Sequence, residues 1–166
     1  MTWCSVAEIV EATTAEQIEQ MRNLFHEYHA QLAGETLAPG FDAEIAALPG
    51  VYAPPQGKLL LAVVAGQPVG CVGLRPFPQE NTCEMKRLYI RPGFRGGKLG
   101  RQLVDRVLQE ARALGYRCMR LDTHPPSMQA ALAMYRRLGF REVLPEPLEN
   151  NAELIYLQLS LDPSSL

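Results

Sequence analysis

The segment RLYIRPGFRGGKLGRQLV, residues 87–104, constrains the fold more than any other. A strand-like run (Leu88, Tyr89, Ile90) breaks at Pro92 and Gly93. A bare, basic loop follows, Arg95-Gly96-Gly97-Lys98-Leu99-Gly100, and runs straight into a helical pattern. Free amide N–H groups at a helix start point outward and carry about half a positive charge between them, which makes an anion site. Glycines let a bulky anion approach the backbone, and Arg95, Lys98 and Arg101 add charge. A phosphate or pyrophosphate is the natural guest. Counting excludes two known phosphate loops. In a Walker frame the first glycine would fall on Pro92, and Leu99 would stand where Ser or Thr is needed. In a Gly-x-Gly-x-x-Gly frame, Gly97 and Gly100 fit but Arg95 occupies the first position.

The rest of the chain supplies alternating strands and helices around this loop. Val6, Ile9 and Val10 mark a short strand over residues 5–11, and Thr13 or Thr14 is an N-cap with Glu16 and Gln17 as capping-box candidates. Ile18, Met21, Leu24, Phe25, Tyr28 and Leu32 recur at helical spacing, which predicts one helix over 15–33. A short helix is expected over 42–48. Residues 58–65 form a nearly continuous apolar run, as in a strand covered on both faces, and 69–74 return as its hairpin partner. Residues 83–90 alternate, with Cys83, Met85, Arg87 and Tyr89 on one face and Glu84, Lys86, Leu88 and Ile90 on the other. After the loop come a helix ended by Gly115, a strand over 116–122, a helix ended by Gly139, and two strands over 140–143 and 153–161. The expectation is a single α/β domain over residues 1–166, with a mixed, mostly antiparallel sheet of six to seven strands and about four helices.

Composition narrows the function classes. A net charge of −2 argues against general nucleic-acid binding, which shows a basic surplus. The apolar runs are too short to span a bilayer, and the first residues lack the basic-plus-apolar pattern of a signal peptide. The four cysteines, Cys4, Cys71, Cys83 and Cys118, form no Cys-x-x-Cys pair, which suits reduced thiols in a cytoplasmic protein. His26 and His29 in FHEYH are too close for a His-Glu-x-x-His zinc site, and no third ligand offers itself, so no metal is expected.

The strand–loop–helix in LYIRPGFRGGKLGRQLV, followed by Leu121-Asp122-Thr123 and then AALAMYRRLGF, resembles the GNAT superfamily of N-acetyltransferases. The resemblance is clear from about Leu59 to Val143. It implies a sheet with splayed central strands, and acetyl-CoA as co-substrate. The amides of residues 96–101, with Arg95, Gly96, Gly97, Lys98, Leu99, Gly100 and Arg101 forming the cradle, would hold the pyrophosphate. Leu88, Tyr89 and Ile90 would pair with the pantetheine arm like an added strand. Two positions depart from the family pattern. Lys98 stands where a glycine is usual, which brings an ammonium beside the pyrophosphate. Met128 stands where an Asn often opens the later helix, which removes a polar contact.

Transfer to an amine has two proton problems. An alkylamine of pKa about 10.4 is almost wholly protonated at neutral pH, so a base must remove a proton. The departing thiolate then needs a donor. The resemblance points to Glu84 as base, on the reading that it shares a strand face with Ile90, and to Tyr135 of Tyr-x-x-x-Gly-Phe as acid. An amide near Ile90 would serve the oxyanion. His26, His29, Glu35 and Tyr52 are candidate acceptor contacts, and His124 is both a further contact and a second candidate base. The acceptor is an amine of a small molecule or a protein, attacked directly in a ternary complex, since no thiol is placed as a nucleophile. A non-catalytic acyl-CoA-binding module and an enzyme for a longer acyl group remain alternatives. Folds of this kind often dimerise, and nothing in the sequence locates such an interface.

Overall fold

The computed structural model describes residues 6–32, 40–125, 128–146 and 153–162. Among them the chain order is β1 (Glu8–Glu11), α1 (Ala15–Gln31), α2 (Phe41–Ala46), β2 (Lys58–Val64), β3 (Gln67–Pro76), β4 (Thr82–Ile90), α3 (Leu99–Ala113), β5 (Cys118–Thr123), α4 (Gln129–Leu138), β6 (Arg141–Val143) and β7 (Ile155–Ser160). Short 3-10 turns lie at Gly50–Tyr52 and Pro92–Phe94. Glu35 and the proposed helix end at Gly34 fall outside the described residues. The sheet order is β1-β2-β3-β4-β5-β7-β6, and only the β4–β5 pair is parallel.

Local chemistry sets the helix boundaries. Thr14 is the N-cap of α1, and its hydroxyl accepts from the Gln17 amide at 3.1 Å while Gln17 Oε1 accepts from the Thr14 amide, a complete capping box. In α3, Leu99, Leu103, Val104, Val107, Leu108 and Ala111 recur on one stripe and are all buried.

Strand alternation divides the core into two layers. Leu60, Val72, Leu74, Met85, Met119, Leu121 and Leu157 face α3 and α4. Leu59, Leu61, Cys71 and Tyr89 face α1 and α2, where Met21, Leu24, Phe25, Phe41, Ile45 and Tyr52 meet them. Each fully buried aliphatic side chain contributes about 1.5–3 kcal/mol of transfer free energy.

Two irregularities place the site. First, β4 and β5 pair only at Thr82↔Cys118, Cys83↔Met119 and Glu84↔Arg120. Beyond Glu84 the strands part, which is the splay expected of this fold. Second, β4 carries a bulge against β3, where Gly73 pairs Lys86 but Cys71 pairs Tyr89. Arg87 takes φ 61°, an uncommon left-handed conformation for a residue with a side chain. Its guanidinium is held by Glu44 Oε2 at 3.1 Å and lies 4.9 Å from the Phe41 ring centre.

The bulge corrects the strand reading made from alternation. An extra residue shifts the period by one, so every side chain beyond it changes face. Leu88 and Ile90 join Cys83 and Met85 on the α3 side, and Tyr89 turns to the α1 side. Glu84 and Ile90 therefore look to opposite faces of the sheet.

Candidate active site

The loop after β4 meets the helix start as the sequence suggests. Lys98 is the N-cap of α3, no side chain caps the helix, and no acidic residue occupies its first turn. The amides there are open to an anion. Gly96 adopts φ 87°, a region that favours glycine, and a Cβ on Gly96 or Gly97 would meet nothing within 4 Å, so the space above them is free. Leu99 is buried and anchors the loop in the core.

The three cations of the loop are used differently. Lys98 is exposed and has no ion-pair partner among the described residues. Arg101 pairs with Asp105 at 3.0 Å on the helix surface. Arg95 folds back, donating from Nε to the Ile90 carbonyl at 2.7 Å and from Nη2 to Gln31 Oε1 at 2.7 Å, with its guanidinium 5.6 Å from the centre of the Tyr89 ring. Arg95 braces the loop against α1. It also occupies one carbonyl of the Leu88–Tyr89–Ile90 rail. The groups of that rail directed toward β5 have no partner in that strand, because the ladder ends at Glu84.

Tyr135 lies on α4, 5% exposed, with its ring 5.6 Å from Phe140. Burial raises its pKa above the ordinary phenol value, with smaller contributions from Tyr28 and Asp122. It stays protonated at neutral pH, as a proton donor must. At the start of α4 the Met128 sulfur accepts from the Thr123 hydroxyl at 3.4 Å.

Glu84 is enclosed. Its side chain is 6% exposed, and Oε1 accepts from Arg75 Nε at 2.8 Å. Arg75 also reaches Glu44 Oε1 at 3.3 Å, and Glu44 in turn holds Arg87. The result is a chain of charges, Glu84–Arg75–Glu44–Arg87, tying β3 and β4 to α2. Lys86, the next residue on that face, is not the partner of Glu84. Lys86 instead donates to Asp122 Oδ2 at 2.9 Å, across the splay from β4 to β5.

The proposed acceptor contacts divide. Tyr52 is 1% exposed, its ring seated over Gly73 and edge-on to Phe25 at 6.0 Å, so it belongs to the core rather than to an accessible wall. Its hydroxyl is buried beside the Glu44 carboxylate without a hydrogen bond of good geometry, and burial, then Glu44, raises its pKa. His26 and His29 pack on Phe41, with ring centres at 6.4 and 4.0 Å. His124, just past β5, lies 4.0 Å from Glu153. A cavity of about 510 Å³ lies at the end of the sheet where β2 begins, lined in part by Ile18, Leu48, Pro49 and Leu59, away from the loop. Among the described residues no three His, Cys, Asp or Glu side chains converge as metal ligands, and no helix is long and apolar enough to cross a membrane.

An uncapped helix start, a bare loop and a strand parted from its parallel neighbour therefore stand together. The model of the acetyltransferase (GNAT) family matches residues 18–140. The chain belongs to that family. It is similar to an uncharacterized N-acetyltransferase of Schizosaccharomyces pombe, with 34% identity over 150 residues that cover 88% of this chain and 90% of that protein. A GNAT acetyltransferase of Staphylococcus aureus superposes with a TM-score of 0.79 at 19% identity, over 95% of this chain and all of the other. The structure of YncA of Salmonella typhimurium with acetyl-CoA superposes at 0.69 and 22% identity, over 95% of each chain. The chain is an N-acetyltransferase. The seven-stranded, mostly antiparallel sheet and four helices among the described residues are those of the GNAT fold.

Proposed function

We propose that this N-acetyltransferase moves the acetyl group of acetyl-CoA directly to an amine of a small molecule or protein, both bound at once. The splay beyond Glu84, with the open amides of α3 at its mouth, carries the reading. The residues present fit the co-substrate: backbone amides from Gly96 to Arg101 and the Lys98 ammonium meet the pyrophosphate, and the groups of Leu88–Ile90 that Arg95 leaves open toward β5 pair with the pantetheine amides.

The chain's own groups then act on protons. Tyr135 is the donor to the departing sulfur, held neutral by its burial. A backbone N–H of the splayed segment stabilises the oxyanion. Glu84 is committed to Arg75, and its place is to hold the floor of the cleft in register.

Thermal shift with CoA, acetyl-CoA and succinyl-CoA, followed by thiol release with an amine panel, tests this. Stabilisation by CoA esters with release on at least one amine is expected. No stabilisation would refute the reading, and stabilisation without release on any amine would make the chain a binding module. Tyr135→Phe lowers kcat about 10²-fold or more with little change in KM for acetyl-CoA. Unchanged kcat removes Tyr135 from the role.

A further inference from the structure

Lys86 and Asp122 stand two residues past the last β4–β5 pair, Glu84↔Arg120, and so share its face of the sheet. Their 2.9 Å contact bridges the apex of the splay. The side chains are 11% and 27% exposed, so the pair is partly desolvated yet within reach of a ligand. The neighbouring charges are closed among themselves, Arg75 on Glu84 and Glu44, Arg87 on Glu44. The Asp122 charge also bears on Tyr135, the proposed proton donor, whose pKa it helps to raise after burial and Tyr28.

Opening a largely desolvated ion pair is costly when either charge is left alone, so a ligand can open this one only if both charges find new partners. A simple amine satisfies Asp122 alone and leaves the Lys86 ammonium uncompensated. A ligand that carries both signs a few bonds apart satisfies both.

We propose that the acceptor is an amine with a carboxylate close to its nitrogen, an amino-acid-like zwitterion, whose carboxylate binds Lys86 and whose ammonium binds Asp122, the base. This rests on the acetyl-transfer reading. Asp122 takes one proton from the ammonium, and the freed lone pair forms the N–C bond at the thioester carbonyl. The C–S bond breaks and sulfur takes the Tyr135 proton. The nitrogen's second proton restores Tyr135, and Asp122 releases its own to solvent. One proton ends on sulfur and one in water.

The test compares kcat/KM for free amino acids, their α-carboxamides, alkylamines matching their side chains, and a lysine peptide. Amino acids should exceed the carboxamides by on the order of 100-fold or more, because the carboxamide leaves Lys86 unpaired. Lys86→Met should narrow that ratio to about tenfold or less, and Asp122→Asn should depress turnover of every amine. The exchange Lys86→Asp with Asp122→Lys keeps an ion pair for folding, checked by CoA thermal shift, and should not restore turnover. Equal turnover of amino acids and carboxamides by the wild-type chain overturns this inference while leaving acetyl transfer intact. Turnover of no amine, with or without CoA stabilisation, overturns both.

Discussion

Gly73→Ala is a one-methyl perturbation whose cost can be worked from the structure. Gly73 lies in β3 opposite Lys86, under the Tyr52 ring. A Cβ built there would stand 2.7 Å from Tyr52 Cε1 and 2.9 Å from Cδ1. Carbon atoms prefer about 3.5–4.0 Å, so the ring must withdraw by close to an ångström. It has nowhere to go: Tyr52 is 1% exposed and backed by Phe25. Overpacking of this kind costs about 1–3 kcal/mol, which for a domain of this size lowers Tm by roughly 2–12 °C. Thermal or urea melts measure it. Because the clash is with ring carbons, Tyr52→Phe should not relieve it, whereas Tyr52→Leu should. Tyr52→Leu leaves a cavity of its own, so the decisive quantity is the coupling in the double-mutant cycle. The double variant should be more stable than the sum of the singles by about 1 kcal/mol or more. Additivity within about 0.3–0.5 kcal/mol would show that the two sites do not touch energetically and would refute the reasoning.

Lys98→Ala should weaken CoA binding by about fivefold, the loss of roughly 1 kcal/mol from one solvated charge contact, and the difference should shrink at high salt; a salt-independent loss would assign Lys98 a different role. Burial raises the pKa of Tyr52 and Tyr135 in the folded chain above the unfolded phenol value. Their stabilising contribution is therefore complete below about pH 10 and is lost as pH climbs above it. Absorbance at 295 nm and melts at rising pH should show these two tyrosines ionising only with unfolding, and ionisation of both in a still-folded chain would contradict the packing. Burial also raises the Cys71 thiol and pushes Cys83 up to about 12, so neither should react with iodoacetamide at pH 8 before the chain unfolds; labelling of both under native conditions would place them nearer the surface.

The order of elements was legible because hydrophobic period carries it. The stripe of α3 and the continuous run of β2 admit one assignment each, and the capping signals narrow the start of α1 to Thr13 or Thr14, of which the structure uses Thr14. The bare start of α3 was legible because its chemistry is local: consecutive residues make it. The acid–base floor was not. Arg75 and Glu84 sit nine positions apart, and Lys86 and Asp122 thirty-six, so their pairing exists only once β3, β4 and β5 are side by side. The bulge left no signal either. Its left-handed position is filled by Arg87 instead of glycine, held there by Glu44 and Phe41 from another element. A period-two reading run straight through it placed Leu88, Tyr89 and Ile90 on the wrong faces.

That bulge makes β4 two modules on one strand. Before Arg87, Glu84 and Lys86 share one face and carry ion pairs to β3 and β5; after it, the backbone from Leu88 is the edge proposed to meet the co-substrate. If the pair reads the acceptor as proposed, a library that randomises Lys86 alone changes acceptor choice without touching the loop, the rail or the base. On the proposed reading, the reset of phase at a single residue would let selection change the recipient of the acetyl group while the donor site stays constant.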